Sequence, residues 1–179
     1  MIKLLDCVLL TASALNLDAK FGEQLTDTEK LLIRCANNCL DEITSEYLPL
    51  KSEIKVKSTN GSIPYSHIAD TVYDVVSVTD SKGERVKFTL MPSRIKVDRD
   101  DEYTVLYCTR IQTLEINDEI PSELHLSPRI ISYGIIAEYL LVTGFYEEAV
   151  TYDTRFKDAL KRAISGVRER KVKGRRWLI

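Results

Sequence analysis

Hydrophobic positions along this chain change period twice. Leu5, Val8, Leu9, Ala12 and Leu15 recur three and four apart, the spacing of one helix face. Gly22 interrupts. Thr26 then stands three residues before Glu29, where the hydroxyl can accept from the Glu29 N–H while the carboxylate reaches back. Leu32, Cys35, Ala36, Cys39, Leu40, Ile43 and Tyr47 form the next apolar stripe. Pro49 ends it, because the residue before proline avoids helical angles. The two segments predict an αα-hairpin.

From Ile54 the period falls to two. Ile54 and Val56 alternate with Lys55 and Lys57, and Asn60-Gly61 supplies the positive φ angles of a tight turn. Val72 to Val78 reads as a strand, broken by Asp80-Ser81-Lys82-Gly83. Val86, Phe88 and Leu90 alternate with Lys87 and Thr89. Ile95 and Val97 follow a Pro92-Ser93 turn, and Tyr103, Val105 and Tyr107 close the set. Short strands divided by turn signals predict an antiparallel sheet, folded as a small sandwich or open barrel.

The helical period then returns. Ser127 suits a cap and Pro128 the first helical position. From Ile130 to Leu141 apolar residues cover nearly every face, and a helix of that kind must be surrounded by core or by another subunit. Gly144 fits a left-handed stop. A last helix carries Phe145, Ala149, Tyr152, Phe156, Leu160, Ala163 and Ile164. The fold class expected is α+β. Helices at both ends (1–50 and 121–166) pack as a small bundle, an antiparallel β subdomain (51–120) is inserted between them, and a basic C-terminal tail (167–179) extends beyond.

Length and composition sharpen this. At 179 residues the chain can bury a core without staples. A formal net charge of −2 argues against a general nucleic-acid binder. Cys7, Cys35, Cys39 and Cys108 read as reduced thiols rather than a disulfide framework. Asp6 interrupts the apolar start, so an amphipathic helix is expected there rather than a signal peptide. No apolar stretch reaches the roughly 18 residues needed to span a bilayer, so no membrane association is expected and a cytoplasmic site of synthesis is.

Candidate chemistry is sparse, and neither an enzyme, a cofactor nor a metal site is expected. His67 and His125 fall in loops beside no nucleophile or acid pair. Cys35 and Cys39 share a helix face but lack two further ligands for a tetrahedral site. Asp98, Asp100 and Asp101 lack the glycine and distal glutamate of a calcium loop and read as a solvated hairpin tip. The tail is more informative. Arg168, Arg170, Lys171, Lys173, Arg175 and Arg176 precede Trp177 and Leu178, and arginine and tryptophan most often carry interface energy. Docking on a partner, folding back on the chain's own core, and a nucleic-acid arm all fit that composition. Tyr133, Tyr139 and Tyr152 are candidates for a subunit interface, since their rings suit half-buried surfaces.

The stretch Ala137–Val150 is similar to the middle of a tetratricopeptide repeat, but no second copy occurs and such arrays need about three. Over nearly its full length the chain resembles the head-to-tail connector (adaptor) proteins of tailed bacteriophages. The resemblance lies in the order helical pair, β-rich insert, apolar helix, glycine, long amphipathic helix and tail. It is carried by Tyr107, Pro121, Pro128, the run Tyr133–Tyr139, the segment Tyr152–Leu160 and Arg175-Arg176-Trp177-Leu178. It implies a virion structural protein at the head–tail neck, assembled in the host cytoplasm as a dodecameric ring beneath the portal. The tail would dock on the portal protein and the β insert would face the next neck or tail protein. Genomic DNA would pass through the lumen without specific binding. Another neck or tail protein, or a helical-hairpin interaction scaffold, is the alternative.

Overall fold

The computed structural model describes residues 2–69 and 71–169, with the backbone alone given for 166–169. The chain is α+β. In order it forms α1 (Leu4–Ala14), α2 (Asp27–Glu42), β1 (Leu50–Lys57), β2 (Ser62–Pro64), β3 (Val72–Thr79), β4 (Thr89–Leu90), β5 (Arg94–Lys96), β6 (Glu102–Thr109), α3 (Pro128–Thr143) and α4 (Tyr146–Glu169). It divides into two compact units, Met1–Leu40 with Thr113–Ile179, and Asp41–Gln112.

In the helical unit, α1 starts from a pairing the period alone does not reveal. The first N–H groups of a helix have no partner within it. Here those of Leu4 and Leu5 each donate at 3.0 Å, to the carbonyls of Asp118 and Ile116, while Ile120 donates to Ile2 at 2.9 Å. Asp6, three residues into the helix, accepts from the Lys3 N–H at 3.1 Å and so fixes the entry of the chain. Asn37 of α2 grips the same segment, accepting from Leu114 N–H at 2.7 Å and donating to its carbonyl at 3.0 Å. Residues 113–120 therefore belong with the helices, not with the β insert expected over 51–120.

That pairing also turns α1. Its buried face is Leu4, Cys7, Val8, Thr11 and Ala12, whereas Leu9 and Leu10 are exposed. The stripe that spacing marks, from Leu5 through Leu9 to Leu15, is thus rotated. With leucine on every side of α1, the face is chosen by what it packs against. The close backbone approach of α1 is to α3, and of α3 to α4, so α1 and α2 do not form the expected tight hairpin.

Helix α2 follows its sequence closely. The Thr26 hydroxyl accepts from Glu29 N–H at 3.3 Å and the Glu29 carboxylate accepts from Thr26 N–H at 2.7 Å, a capping box. Leu32, Cys35, Ala36, Cys39 and Leu40 are buried. A π-helical turn, Ile43–Tyr47, leads out of α2 before Pro49. It joins the β unit, where the Tyr73 hydroxyl donates to the Thr44 carbonyl at 3.2 Å.

Gly134 explains how α2, α3 and α4 converge. A Cβ built there would clash with Cys39 Sγ and press on the Phe156 ring at 3.1 Å. Without one, the thiol and the ring both close against the α3 backbone, and Cys39 Sγ lies 3.8 Å from the Ile131 carbonyl.

The β unit holds two antiparallel three-stranded sheets, ordered β1-β6-β3 and β2-β5-β4. Val56, Ile63, Val78, Ile95, Tyr103 and Val105 are among its buried core. The Asn60-Gly61 turn has both residues at positive φ, 53° and 63°, as the sequence requires. The strand expected from Val86 to Leu90 shortens to Thr89–Leu90. Asp80 explains why. Its buried carboxylate accepts from the N–H groups of Lys82 and Glu84, both at 3.0 Å, and from Arg99 at 3.0 Å, and the turn it holds brings the chain back beside β3, where Arg85 bridges Thr79 and Val86 N–H donates to the Val78 carbonyl at 2.9 Å.

Candidate interaction surface

The acidic run is exposed at Asp98 and Asp100, between β5 and β6, but it also does structural work. Asp100 accepts from Gly61 N–H at 2.6 Å and Asn60 N–H at 3.0 Å and so pins the preceding turn. Arg99 pairs with Asp80 at 3.0 Å and Asp101 at 3.6 Å. Hydrogen bonds from Gly61 and Asn60 hold the Asp100 carboxyl below the usual carboxylate range, with burial opposing them. These oxygens already serve the chain's own donors. Among the described residues, no three His, Cys, Asp or Glu side chains are placed to hold a metal ion.

His67 and His125 are exposed. Burial pushes the Cys35 thiol up to about 11, aided by the Glu138 charge, and the Cys7 thiol up to about 12, aided by Asp6. Both are therefore neutral and poorly nucleophilic near neutral pH. An open cleft of about 360 Å³ lies beside Asp27, Lys30, Leu31 and Arg34, where Lys30 pairs with Asp27 at 3.8 Å.

The three interface tyrosines separate. Tyr133 and Tyr152 face each other between α3 and α4, with ring centroids 6.4 Å apart and planes tilted by 50°. Arg129 donates to the Tyr133 hydroxyl at 2.8 Å, and Arg155 lies over the Tyr152 ring at 5.3 Å. This pair serves first to join the two helices of its own molecule. Tyr139, six residues along α3, lies about 120° round the helix from Tyr133 and is half-buried.

The surface that stands out is the corner between α3 and α4. Gly144 takes φ 88°, its N–H donating to the Leu141 carbonyl at 3.3 Å and that of Phe145 to Leu140 at 2.9 Å. Those two bonds form a Schellman stop. Beneath it, Ile136, Leu140 and Ala149 are buried, with Leu15 and Tyr152 against them. Above it, Leu141, Val142, Phe145, Tyr146 and Val150 are 50–66% exposed. Helix α3 is thus buried on one face from Ile131 to Leu140, half-covered at Ile130, Tyr133 and Tyr139, and left bare at its end.

Phe145 is a correction to the sequence pattern. Spacing places it on the buried stripe of the last helix. The turn at Gly144 instead sets it at the cap of α4, where its carbonyl accepts from Ala149 N–H at 2.9 Å and its side chain is exposed. The available signal was the pair Leu141-Val142, one residue before a stop glycine, and Phe145-Tyr146 directly after it. Apolar residues on both sides of a tight corner cannot all turn inward.

Of the predicted docking residues, Arg170, Lys171, Lys173, Arg175, Arg176, Trp177 and Leu178 lie outside the described residues, as does the side chain of Arg168. Among the described residues, no helix is long and apolar enough to cross a membrane. Compared with known proteins, the sequence matches no family model and no curated protein.

Proposed function

We propose that this chain is a virion structural protein, the head-to-tail adaptor of a tailed bacteriophage, acting as a dodecameric ring between the portal protein and the next neck or tail protein. The observation that supports it best is the α3–α4 corner. Leu141, Val142, Phe145, Tyr146 and Val150 expose half to two-thirds of their surface at one turn of the fold. Large apolar side chains gathered in this way mark a surface meant for a protein partner. Other copies of the chain and the portal supply such partners in a neck assembly.

The remaining features fit this role. A two-sheet β unit with its own core can face the next neck component. The near-zero net charge suits a lumen through which genomic DNA passes without being gripped. The arginine-rich segment 168–178 is the docking arm. Assembly takes place in the host cytoplasm and the product resides in the virion neck.

Light scattering on the chain, alone and mixed with purified portal rings, tests the reading. A discrete complex heavier than the portal, with several copies bound per portal, is the expected result. Self-association without any portal binding would instead favour another neck or tail protein or a helical interaction scaffold. A monomer under both conditions contradicts the proposal.

A further inference from the structure

We propose that the α3–α4 corner is the receiving site for residues 168–179 of a second copy of this chain. This rests on the self-assembly part of the function above and names the surfaces that meet. It gives the arm a contact within the ring.

Charge is the first argument. Between Ile130 and Thr154 the charged residues are Glu138, Glu147, Glu148 and Asp153, all acidic. Glu147 and Glu148 are exposed in the first turn of α4, next to Tyr146. Residues 168–176 carry six Lys and Arg side chains against the single Glu169. Opposite fields of this kind steer two surfaces together and set their register.

Apolar matching is the second. The basic run passes directly into Trp177-Leu178-Ile179. The corner offers Leu141, Val142, Phe145, Tyr146 and Val150 beside its two glutamates. An indole seated among such side chains, with charge pairs at the rim, is the usual make-up of an interface hot spot.

Reach favours a neighbour's arm. Tyr146 and Glu169 mark the two ends of α4, about 35 Å apart at 1.5 Å per residue. Trp177 stands eight residues beyond Glu169. A fully extended chain carries it at most about 29 Å, and less after reversing direction along the helix. Fully stretched, the Trp177 backbone therefore comes level with its own Val150 at most, about 29 Å along α4 from Glu169, and not with Phe145 or Tyr146, whereas a neighbour's corner is under no such limit. Corner and arm are different patches, so the contact is heterologous, the type that closes into rings.

Photocrosslinking in the full chain tests this. Benzoylphenylalanine replaces Phe145, isotopically light and heavy copies are mixed, and the crosslinked peptides are identified by mass. Light–heavy crosslinks from position 145 into residues 170–179 are expected. Arg175→Glu with Arg176→Glu should lower their yield by roughly tenfold or more. Adding Glu147→Lys and Glu148→Lys to that variant should restore it. Crosslinks confined to one copy, crosslinks into another segment, or none at all overturn the inference. Portal-bound rings formed without this crosslink would overturn it while leaving the adaptor reading intact. The crosslink without portal-bound rings would support it and count against that reading.

Discussion

Cys39 of α2 and Gly134 of α3 share one space, the thiol filling the volume that a side chain at 134 would need. Gly134→Ala forces Cys39 or the Phe156 ring to move, and overpacking of that kind costs about 1–3 kcal/mol. Adding Cys39→Ala frees the volume. The double variant should therefore be more stable than the sum of the two single losses implies. Urea unfolding followed by circular dichroism checks this. Strictly additive losses would show that the two positions do not compete.

In the β unit, Gly61 is fixed by conformation and by space. Its φ is 63°, and a Cβ would stand 2.8 Å from the Val97 carbonyl oxygen. Gly61→Ala should cost about 1–3 kcal/mol, the usual range for a strained backbone position. Asp100→Ala should loosen the same turn by leaving the Asn60 and Gly61 N–H groups without their acceptor. Amide hydrogen exchange at those two residues reports it, and unchanged rates in Asp100→Ala would contradict the role assigned to the carboxylate.

Glu29 gives stability a defined pH dependence. Its carboxylate accepts from the N–H groups of Thr26, Phe21 and Lys20, at 2.7, 2.6 and 2.7 Å, and from the Thr26 hydroxyl at 2.9 Å. The Thr26 and Phe21 hydrogen bonds lead in lowering its pKa from 4.5 to about 2. A depressed folded-state pKa stabilises above the unfolded value and is lost as pH falls through the folded one. The contribution is thus complete above about 4.5 and fades toward about 2. Asp80 and Asp100, also held low, act in the same direction. Melting temperature against pH should fall less steeply over this window in Glu29→Gln than in the parent. Parallel curves would remove Glu29 from the explanation.

Substitution separates core from corner. Phe145→Ser should leave folding stability within about 0.5 kcal/mol of the parent, as for an exposed position. Phe156, 1% exposed, should cost about 3–5 kcal/mol when replaced by alanine. Denaturant midpoints distinguish them, and a large loss for Phe145→Ser would make the corner part of the core.

Local chemistry was legible in the sequence, and long-range pairing was not. The Thr26–Glu29 capping box, the Asn60-Gly61 turn, Pro128 at the first position of α3 and Gly144 at its stop all depend on residues within a few positions of each other. The start of α1 is held by Ile116 and Asp118 and its backbone lies close to α3, all more than a hundred residues away, and no local period encodes that. The strand expected from Val86 to Leu90 divides its pairing, Val86 donating to Val78 of β3 and Thr89–Leu90 lying against β5, and no local period encodes that division. The corner was hidden differently. Leu141 and Phe145 look like core residues in any hydrophobicity pattern, and only the direction of the chain at Gly144 turns them outward.

Electron micrographs of the protein mixed with purified portal rings test the central claim most directly. Closed dodecameric rings of this chain, coaxial with the portal and seated on one of its faces, are the expected result. Bare portals beside unassembled protein, at concentrations where the chain is folded, would contradict it.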